Sequence, residues 1–158
     1  MPWDSNPKAG FSPPSARPPW LPLAPDHEEI NVKSQLPDPG STLNLYRRLL
    51  AYRKASPALL RGTYQAIDAS TEGCFVFLRE TGAQRLLVAL NFRSEERLVG
   101  LPTRALGTFV LSTCLDREGP VDPKGIILRA DEGVIIELAR RKDLQELGIP
   151  GYSQKELF

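Results

Sequence analysis

The sequence predicts a mainly β protein, in which an antiparallel β-sandwich is preceded by a proline-rich loop and one helix. Three observations lead to this prediction. Ten of the fifteen prolines lie within residues 1–40, and proline removes a backbone donor and restricts the residue before it, which excludes regular ladders there. Apolar residues follow helical spacing over residues 41–55. From residue 61 onward they recur with the period of two that is typical of strands.

The proline-rich loop carries some of the largest apolar side chains of the protein. Trp3, Phe11 and Trp20 lie among the prolines, and Ile30 and Val32 follow. Disordered segments are usually poor in aromatic residues, and a long loop without regular structure is most often functional or disordered. We therefore expect no helix or strand in this stretch, but an ordered loop whose aromatic residues pack on another surface.

Residues 41–55 have the pattern of an amphipathic helix. Ser41 is a suitable N-cap because its hydroxyl can accept a hydrogen bond from a free first-turn amide. Arg53 and Lys54 suit the negative end of the helix dipole, and a Ser-Pro pair ends the pattern. The apolar stripe is broad and consists of Leu43, Leu45, Tyr46, Leu49, Leu50 and Tyr52. We expect so broad a face to belong to a larger layer than a small domain provides.

Seven short apolar runs, separated by turn residues, predict an antiparallel β-sandwich over residues 61–139. The run Leu86–Leu90 is continuously apolar, which is typical of a central strand. The remaining residues, 140–158, are expected to form a solvated tail. The alternative is that Leu144, Leu147 and Ile149 mark one or two amphipathic turns before Pro150. The predicted strands are Thr63–Ile67, Cys74–Arg79, Arg85–Phe92, Arg97–Leu101, Thr108–Thr113, Ile126–Arg129 and Val134–Leu138.

Composition argues against several classes of partner. Twenty basic and nineteen acidic residues leave a net charge of +1, which provides no strong field to attract nucleic acid or an anionic membrane. No apolar run approaches the roughly 20 residues of a membrane span, and the opening Met-Pro-Trp-Asp is not a signal peptide. The two isolated cysteines, Cys74 and Cys114, are expected to be buried thiols, in agreement with a cytoplasmic location.

Motifs for catalysis, cofactor binding and metal binding are not evident. There is no Gly-x-Ser-x-Gly elbow and no glycine-rich phosphate loop, and the single histidine, His27, is expected at the surface because one imidazole does not make a metal site. Paired carboxylates can hydrolyse a glycoside. However, Asp116, Glu118, Asp131 and Glu132 lie in predicted turns, where we expect them to be solvated.

The order of several segments resembles the C-terminal part of an α-glucosidase of the α-amylase superfamily, the group that includes oligo-1,6-glucosidases, maltases and trehalose synthases. The resemblance covers residues 1–139, and its most specific part is Met-x-Trp-Asp, Ala-Gly-Phe, Pro-Trp-Leu and Ile-Asn-Val in that order. The segments are MPWDSNPKAGFS, PWLPLAPDHEEINVKSQLPDPGSTLNLYRRLLAYRKASPAL, RLLVALNF, LSTCLDREG and LRADEGVIIEL.

The resemblance implies a domain organisation. Residues 1–58 correspond to the loop after the eighth strand of a (β/α)₈ barrel and to its eighth helix, and residues 61–139 to the small C-terminal sandwich domain. Loops at that face of a barrel build the substrate site. The resemblance therefore places Trp3, Asp4, Phe11 and Trp20 in a loop near the substrate.

The resemblance also implies that this chain is inactive by itself. Retaining hydrolysis needs two carboxyl groups about 5–5.5 Å apart, and in such enzymes these lie upstream of the Met-x-Trp-Asp motif. No catalytic residue is therefore carried over, and no cofactor or metal is implied. We expect a fragment or truncated form of an α-glucosidase, whose oligosaccharide substrate binds through the missing barrel. The exposed apolar loop and helix of such a fragment would favour self-association.

Two non-catalytic alternatives remain open at this point. One is a carbohydrate-binding module in which Trp3 and Trp20 stack on sugar rings. The other is a protein-interaction module, since the heavy chains of amino-acid transporters look similar to these glucosidases across the same region.

Overall fold

The computed structural model describes residues 1–68, 71–101 and 105–139, so the predicted tail, residues 140–158, lies outside the described residues. The chain divides into two compact units. We call Met1–Leu50 the N-terminal unit and Ala51–Phe158 the β unit.

A one-turn helix, α1 (Val32–Gln35), lies in the proline-rich segment, where we expected no helix. Asn31 caps it through a capping box: its side-chain oxygen accepts from the Ser34 amide at 2.9 Å, and the Ser34 hydroxyl accepts from the Asn31 amide at 3.2 Å. The stretch between Pro25 and Pro37 contains no proline. This stretch can therefore form one helical turn. The prediction of no helix treated the whole loop alike and was wrong for these residues.

Helix α2 (Thr42–Ala55) confirms the predicted helix. Ser41 caps it as expected, because its carbonyl accepts from the Leu45 amide at 2.9 Å and its hydroxyl from the Asn44 amide at 3.3 Å. No residue of α2 is buried. The broad apolar stripe is therefore at most partly covered by the described residues.

Helix α3 (Pro57–Arg61) follows at once and was not predicted. The hydroxyl of Ser56 accepts from the Leu59 amide at 3.2 Å, and Pro57 occupies the first helical position. Proline is favoured there because the missing N–H has no partner within a helix anyway. The Ser-Pro pair therefore ends α2 and also begins α3.

The described part of the β unit contains eight strands, and the bounds of the seven predicted ones agree to within two residues. The additional strand is β6, a two-residue edge strand in the predicted turn before β7. Its proline is tolerated because an edge strand needs no full ladder of hydrogen bonds. The strands are β1 (Thr63–Ile67), β2 (Cys74–Glu80), β3 (Arg85–Asn91), β4 (Arg97–Val99), β5 (Gly107–Ser112), β6 (Pro120–Val121), β7 (Ile126–Leu128) and β8 (Gly133–Leu138).

Six strands form one antiparallel sheet in the order β1-β2-β3-β8-β5-β6, and β4 and β7 form a second, two-stranded antiparallel sheet. The predicted central position of β3 is confirmed, since it pairs with β2 on one side and with β8 on the other. The core lies between the two sheets: Val99, Ile126 and Leu128 from the small sheet cluster with residues of the large one, among them Leu87 and Ile136. The predicted mainly β, antiparallel fold is thus confirmed.

None of the described helices is long and apolar enough to cross a membrane.

Candidate functional site

The predicted substrate-proximal loop is held in shape by backbone hydrogen bonds around Trp3. The Trp3 amide donates to the Ala9 carbonyl at 2.8 Å, and the Trp3 carbonyl accepts from the Lys33 amide, within α1, at 3.0 Å. Ala9 and Gly10 make the turn with φ of 50° and 72°. A Cβ on Gly10 would lie 2.7 Å from the Trp3 Cβ. Glycine is thus required for both the backbone conformation and the close approach.

Two charged side chains stabilise the turns of this loop. Asp4 accepts hydrogen bonds from the backbone and side-chain amides of Asn6 at 2.9 and 2.8 Å. The Lys8 ammonium donates to the carbonyls of Pro14, at 2.7 Å, and Ala16. Asp4 therefore has a structural role in its own loop, whatever its place near a substrate.

The aromatic residues of the loop expose their rings although their backbone is ordered. Trp3 is 58% exposed, Phe11 53% and Trp20 91%. The structure brings Trp3 and Asp4 together around Gly10, and it places all four predicted residues in the N-terminal unit. Their contact with a substrate stays a prediction.

His27, which we expected at the surface, is half-buried there. Its Nδ1 lies 2.9 Å from the Ala24 carbonyl, which can only accept, so Nδ1 carries the proton. The His27 carbonyl in turn accepts from the side-chain amide of Asn31 at 2.9 Å. His27 thus orders the chain that leads into α1.

Glu132 corrects the prediction that the turn carboxylates are solvated, because it is only 1% exposed. Arg117 binds it with two hydrogen bonds, Nε to Oε1 at 2.8 Å and Nη2 to Oε2 at 2.7 Å. Arg129 adds its Nη2 to Oε1 at 2.6 Å and its backbone amide to Oε2 at 2.8 Å. The buried charge is therefore fully compensated, as it must be to remain ionised in the interior.

Asp116 joins the same network from the solvent side. The Arg129 guanidinium donates to both of its oxygens, at 2.7 Å each, and these hydrogen bonds lower the pKa of Asp116 to about 2. Burial acts to raise the pKa of Glu132, but hydrogen bonds from Arg129 and Arg117 outweigh it and hold the pKa below its ordinary value. Both carboxyl groups are ionised near neutral pH. Both carboxylates bind arginine, and their lowered pKa values do not suit the general acid of a glycosidase.

Among the residues that the structure describes, three side chains of this same cluster are close enough together to be considered as metal ligands. The ligand atoms of Cys114, Asp116 and Glu132 lie within 4.8 Å of one another. Both carboxylates, however, already bind arginine, whose positive charge opposes a cation there. The cluster is therefore a salt-bridge network that ties the turns after β5 and β7 together.

The two thiols differ from the expectation that both are buried. Cys114 is exposed in the turn after β5, so the prediction is wrong for this residue; Cys74 is half-buried at the start of β2, and burial raises the pKa of its thiol. Glu118 and Asp131 are exposed, as predicted.

Arg117 and Arg129 are the residues that sequence reasoning missed. Each is close in the sequence to a carboxylate in a turn, in the segments LDREG and LRADEG. That spacing was a usable signal for an ion pair. It did not reveal that the two turns meet around one buried glutamate.

Sequence comparison relates this fold to known proteins. Residues 1–62 match the family described as alpha amylase, catalytic domain. The oligo-1,6-glucosidase of Parageobacillus thermoglucosidasius is 35% identical over 102 residues, which are 65% of this chain and 18% of that protein. A probable alpha-glucosidase of Rhizobium meliloti is 37% identical over 123 residues, 75% of this chain and 21% of that protein.

Solved structures of the same family extend the similarity into the β unit. The isomaltulose synthase of Erwinia rhapontici matches with a TM-score of 0.77 and 28% identity, over 89% of this chain and 25% of that one. Both units of the chain are therefore similar to members of the α-amylase family. The predicted resemblance is thereby confirmed. The chain spans about a fifth of the length of the curated relatives it matches.

Proposed function

We propose that this chain is the C-terminal part of an α-glucosidase-like glycoside hydrolase acting on α-glucosidic bonds of oligosaccharides. The observation that carries the proposal is the similarity to oligo-1,6-glucosidases and a probable alpha-glucosidase. The catalytic carboxylates would be supplied by segments outside these 158 residues. This chain alone is expected to be inactive, because the catalytic carboxylates of such enzymes lie upstream of the Met-x-Trp-Asp motif. Asp116 and Glu132, the carboxylates of the salt-bridge network, are bound by arginine.

The proposed domain boundary lies near residue 60. Residues 1–58 would form the last loop and the eighth helix of the barrel, and residues 61–139 the C-terminal sandwich domain. The family match ends at residue 62, and the hydrogen-bonded sheet begins at Thr63. Both observations support the proposed division.

The proposed site on this chain is the loop with Trp3, Asp4, Phe11 and Trp20. Its backbone is ordered and its aromatic rings are exposed. We expect such a loop to pack on the barrel and to contact the oligosaccharide, since aromatic faces supply large contact areas. We further propose a cytoplasmic location, with an oligosaccharide as partner and neither nucleic acid nor a membrane. Cofactors and metals play no part in this proposal.

The native polypeptide provides the first test. We would recover it from its source with an antibody against the β unit and measure its intact mass and its hydrolysis of p-nitrophenyl α-glucoside. The expected result is a mass several times the 17.5 kDa of this chain, together with hydrolysis. A native mass equal to 17.5 kDa, or a larger protein without α-glucosidase activity, would contradict the proposal.

A carbohydrate-binding module is the second candidate, and the exposure of Trp20 (91%) and Trp3 (58%) favours it. It predicts that the 158-residue chain alone binds maltose or isomaltose in calorimetry. Trp3→Ala and Trp20→Ala should then abolish binding, whereas Tyr46→Ala, which removes another exposed aromatic ring, should not. No heat of binding for the unaltered chain would eliminate this candidate.

A further inference from the structure

A cavity of about 360 Å³ opens on the β unit at one end of the large sheet. It lies where β3 begins, β8 ends and β5 begins, and these three strands are neighbours in the sheet. Small-molecule sites usually measure roughly 300–1,000 Å³ and combine an apolar lining with a few polar groups. Ala83, Val110, Leu138 and Ala139 supply the apolar lining. The size and the lining are therefore those of a small-ligand site.

Two polar residues of the cavity lie on the same face of the sheet. Thr108 of β5 and Glu137 of β8 are paired directly in the strand register, and side chains at paired positions point to the same side, with Cβ atoms about 5 Å apart. Both residues are exposed. Within the described part of the chain, neither side chain has an ion pair or a hydrogen bond. Both are therefore available to a ligand.

Arg85 adds hydrogen-bond donors to the cavity. Its Nε lies 3.4 Å from Oε2 of Glu80, but this nitrogen is shielded from solvent and makes no hydrogen bond with a described residue. A guanidinium has five N–H donors and no acceptor. Arg85 and Glu137 line the same cavity without forming an ion pair with each other. The lining thus contains both unused donors and unused acceptors.

The turn between β2 and β3, which borders the cavity, is held in place by hydrogen bonds. The Thr81 hydroxyl accepts from the Gln84 amide at 3.2 Å, and the Thr81 amide donates to the Gln84 carbonyl at 2.9 Å. The side chain of Gln84 accepts from the Ser56 hydroxyl at 2.6 Å and donates to the Tyr52 hydroxyl at 3.2 Å. Gln84 therefore orders the wall of the cavity, and a preformed wall lowers the entropic cost of binding.

The polar groups of the cavity specify the class of ligand. Arg85 and Glu137 carry opposite charges, so the lining as a whole gives a net anion or a net cation no advantage. A hydroxyl group both donates and accepts, so adjacent hydroxyls can donate to Glu137 while accepting from Arg85. The C–H groups of a sugar ring would contact the apolar lining. A neutral ring with several hydroxyl groups meets all of these requirements.

We propose that this cavity binds a neutral sugar, whose adjacent hydroxyl groups donate to Glu137, accept from Arg85 and bond to Thr108. The inference goes beyond the proposed function, because it uses residues of the β unit and none of the loop that carries Trp3 and Trp20. It does not depend on hydrolysis by the native protein. The β unit thereby has a ligand-binding site of its own.

Titration of the ¹⁵N-labelled 158-residue chain with methyl α-glucoside tests the proposal. Two-dimensional NMR follows each backbone amide, so it locates the bound sugar as well as measuring the affinity. We expect saturable shifts at the amides of Gln84, Thr108 and Ala139, with a Kd on the order of 1–10 mM. The absence of saturable shifts at about 100 mM sugar, or shifts confined to the loop of Trp3 and Trp20, would overturn the proposal.

Matched variants separate the cavity from nonspecific effects. Glu137→Gln removes the charge with little change in shape and should raise Kd at least about fivefold, since hydrogen bonds to a charged group are about twice as strong as neutral ones. The control, Glu118→Gln, makes the same change in an exposed turn outside the cavity and should leave Kd within about twofold. Trp20→Ala should also leave Kd unchanged. Equal losses in the two glutamate variants would overturn the proposal.

A second probe, glycine betaine, tests the class of ligand. It carries both charges but no hydroxyl group, so we expect it to bind at least about tenfold more weakly than methyl α-glucoside. Equal or tighter binding would assign the cavity to zwitterions and overturn the proposal. Hydrolysis by a large native protein, without sugar binding at the cavity, would overturn this inference alone. A native mass of 17.5 kDa together with sugar binding at the cavity would overturn the proposed function alone.

Discussion

The two units of the molecule are ordered by different means. Only three residues of the N-terminal unit are buried, Ala9, Asn31 and Ser41, and two of them are polar. The core of the β unit is a cluster of buried aliphatic residues between two sheets. The first unit therefore depends on turns, caps and local hydrogen bonds, whereas the second is stabilised by burial of apolar area.

The two units also differ in how many of their apolar side chains are buried. In the N-terminal unit both tryptophans are exposed, Trp20 to 91%, and Ala9 is the one buried apolar residue. The β unit buries aliphatic residues such as Leu86 and Ile136, although Phe75 and Phe92 are exposed there too. A unit that orders its backbone and exposes its aromatic residues is suited to pack against something else. This supports the proposed role of residues 1–58 as part of a barrel.

The largest expected contrast is in proteolysis of the isolated 158-residue chain. Local opening costs little where few apolar contacts hold the backbone, so we expect residues 1–58 to be cleaved at least about tenfold faster than residues 61–139. Limited digestion followed by mass spectrometry measures both rates. Equal protection of the two segments in a monomeric sample would remove the contrast.

Removing a core side chain should have the next largest effect. Leu128→Ala deletes a fully buried side chain of β7 and is expected to lower the free energy of unfolding by about 3 kcal/mol. Leu98→Ala, at a 62% exposed position of β4, should change it by less than about 0.5 kcal/mol. Urea titration followed by far-UV circular dichroism is suitable, because both tryptophans lie in the N-terminal unit. If Leu128→Ala and Leu98→Ala lowered the free energy of unfolding by similar amounts, the core between the two sheets would not be what stabilises the β unit.

Neutralising the buried glutamate should lower the free energy of unfolding somewhat less than Leu128→Ala does. Glu132→Gln leaves Arg117 and Arg129 without the charge that they bind, and we expect a loss of about 2 kcal/mol. This is below the usual range for a broken buried pair, because Arg129 reaches solvent. Glu118→Gln, in an exposed turn, is the matched control. If both variants unfold at the same urea concentration, the network contributes no stability.

Acidification should weaken the same network by a smaller amount. The folded pKa of Asp116 is lowered from 3.8 to about 2 by hydrogen bonds from Arg129, so its contribution is complete above the unfolded pKa. That contribution is lost as the pH falls through the folded pKa. Between pH 5 and pH 2 the urea midpoint of Asp116→Asn should therefore fall less than that of the unaltered chain. If the urea midpoints of the two proteins fall by the same amount over this pH range, Asp116 does not contribute the predicted pH dependence.

The smallest effect is expected at the most exposed aromatic residue. Trp20→Ala should change the free energy of unfolding by less than about 0.5 kcal/mol, because the side chain is 91% exposed and loses almost no buried area. The unfolding midpoint of the β unit should be unchanged. A loss above about 1 kcal/mol would mean that Trp20 is packed in the isolated chain.

Much of the fold was predictable because the relevant signals are local. The alternation of apolar residues located β1 to β5, β7 and β8, and the Ser41 cap with its apolar stripe located α2. The short elements α1, α3 and β6 were missed. Their few residues give no periodicity to detect, and prolines adjacent to or within them were interpreted only as breaks.

The site was less predictable than the fold. The motif order around Trp3 and Phe11 carried the family resemblance, and the placement of those residues near the substrate stays a prediction. Glu132, by contrast, sits in a polar turn sequence and was expected in solvent. Its burial results from the meeting of that turn with Arg117, fifteen residues away in the chain.

By itself the sequence determined the resemblance to the α-amylase family, the mainly β class and the positions of the main elements, since motif order and periodicity are properties of neighbouring residues. Only the tertiary structure decided that Glu132 is buried and paired, that Cys114 is exposed, and that Tyr46 and Trp20 are exposed. Burial and ion pairing depend on which distant segments meet in space. A one-dimensional pattern does not contain that information.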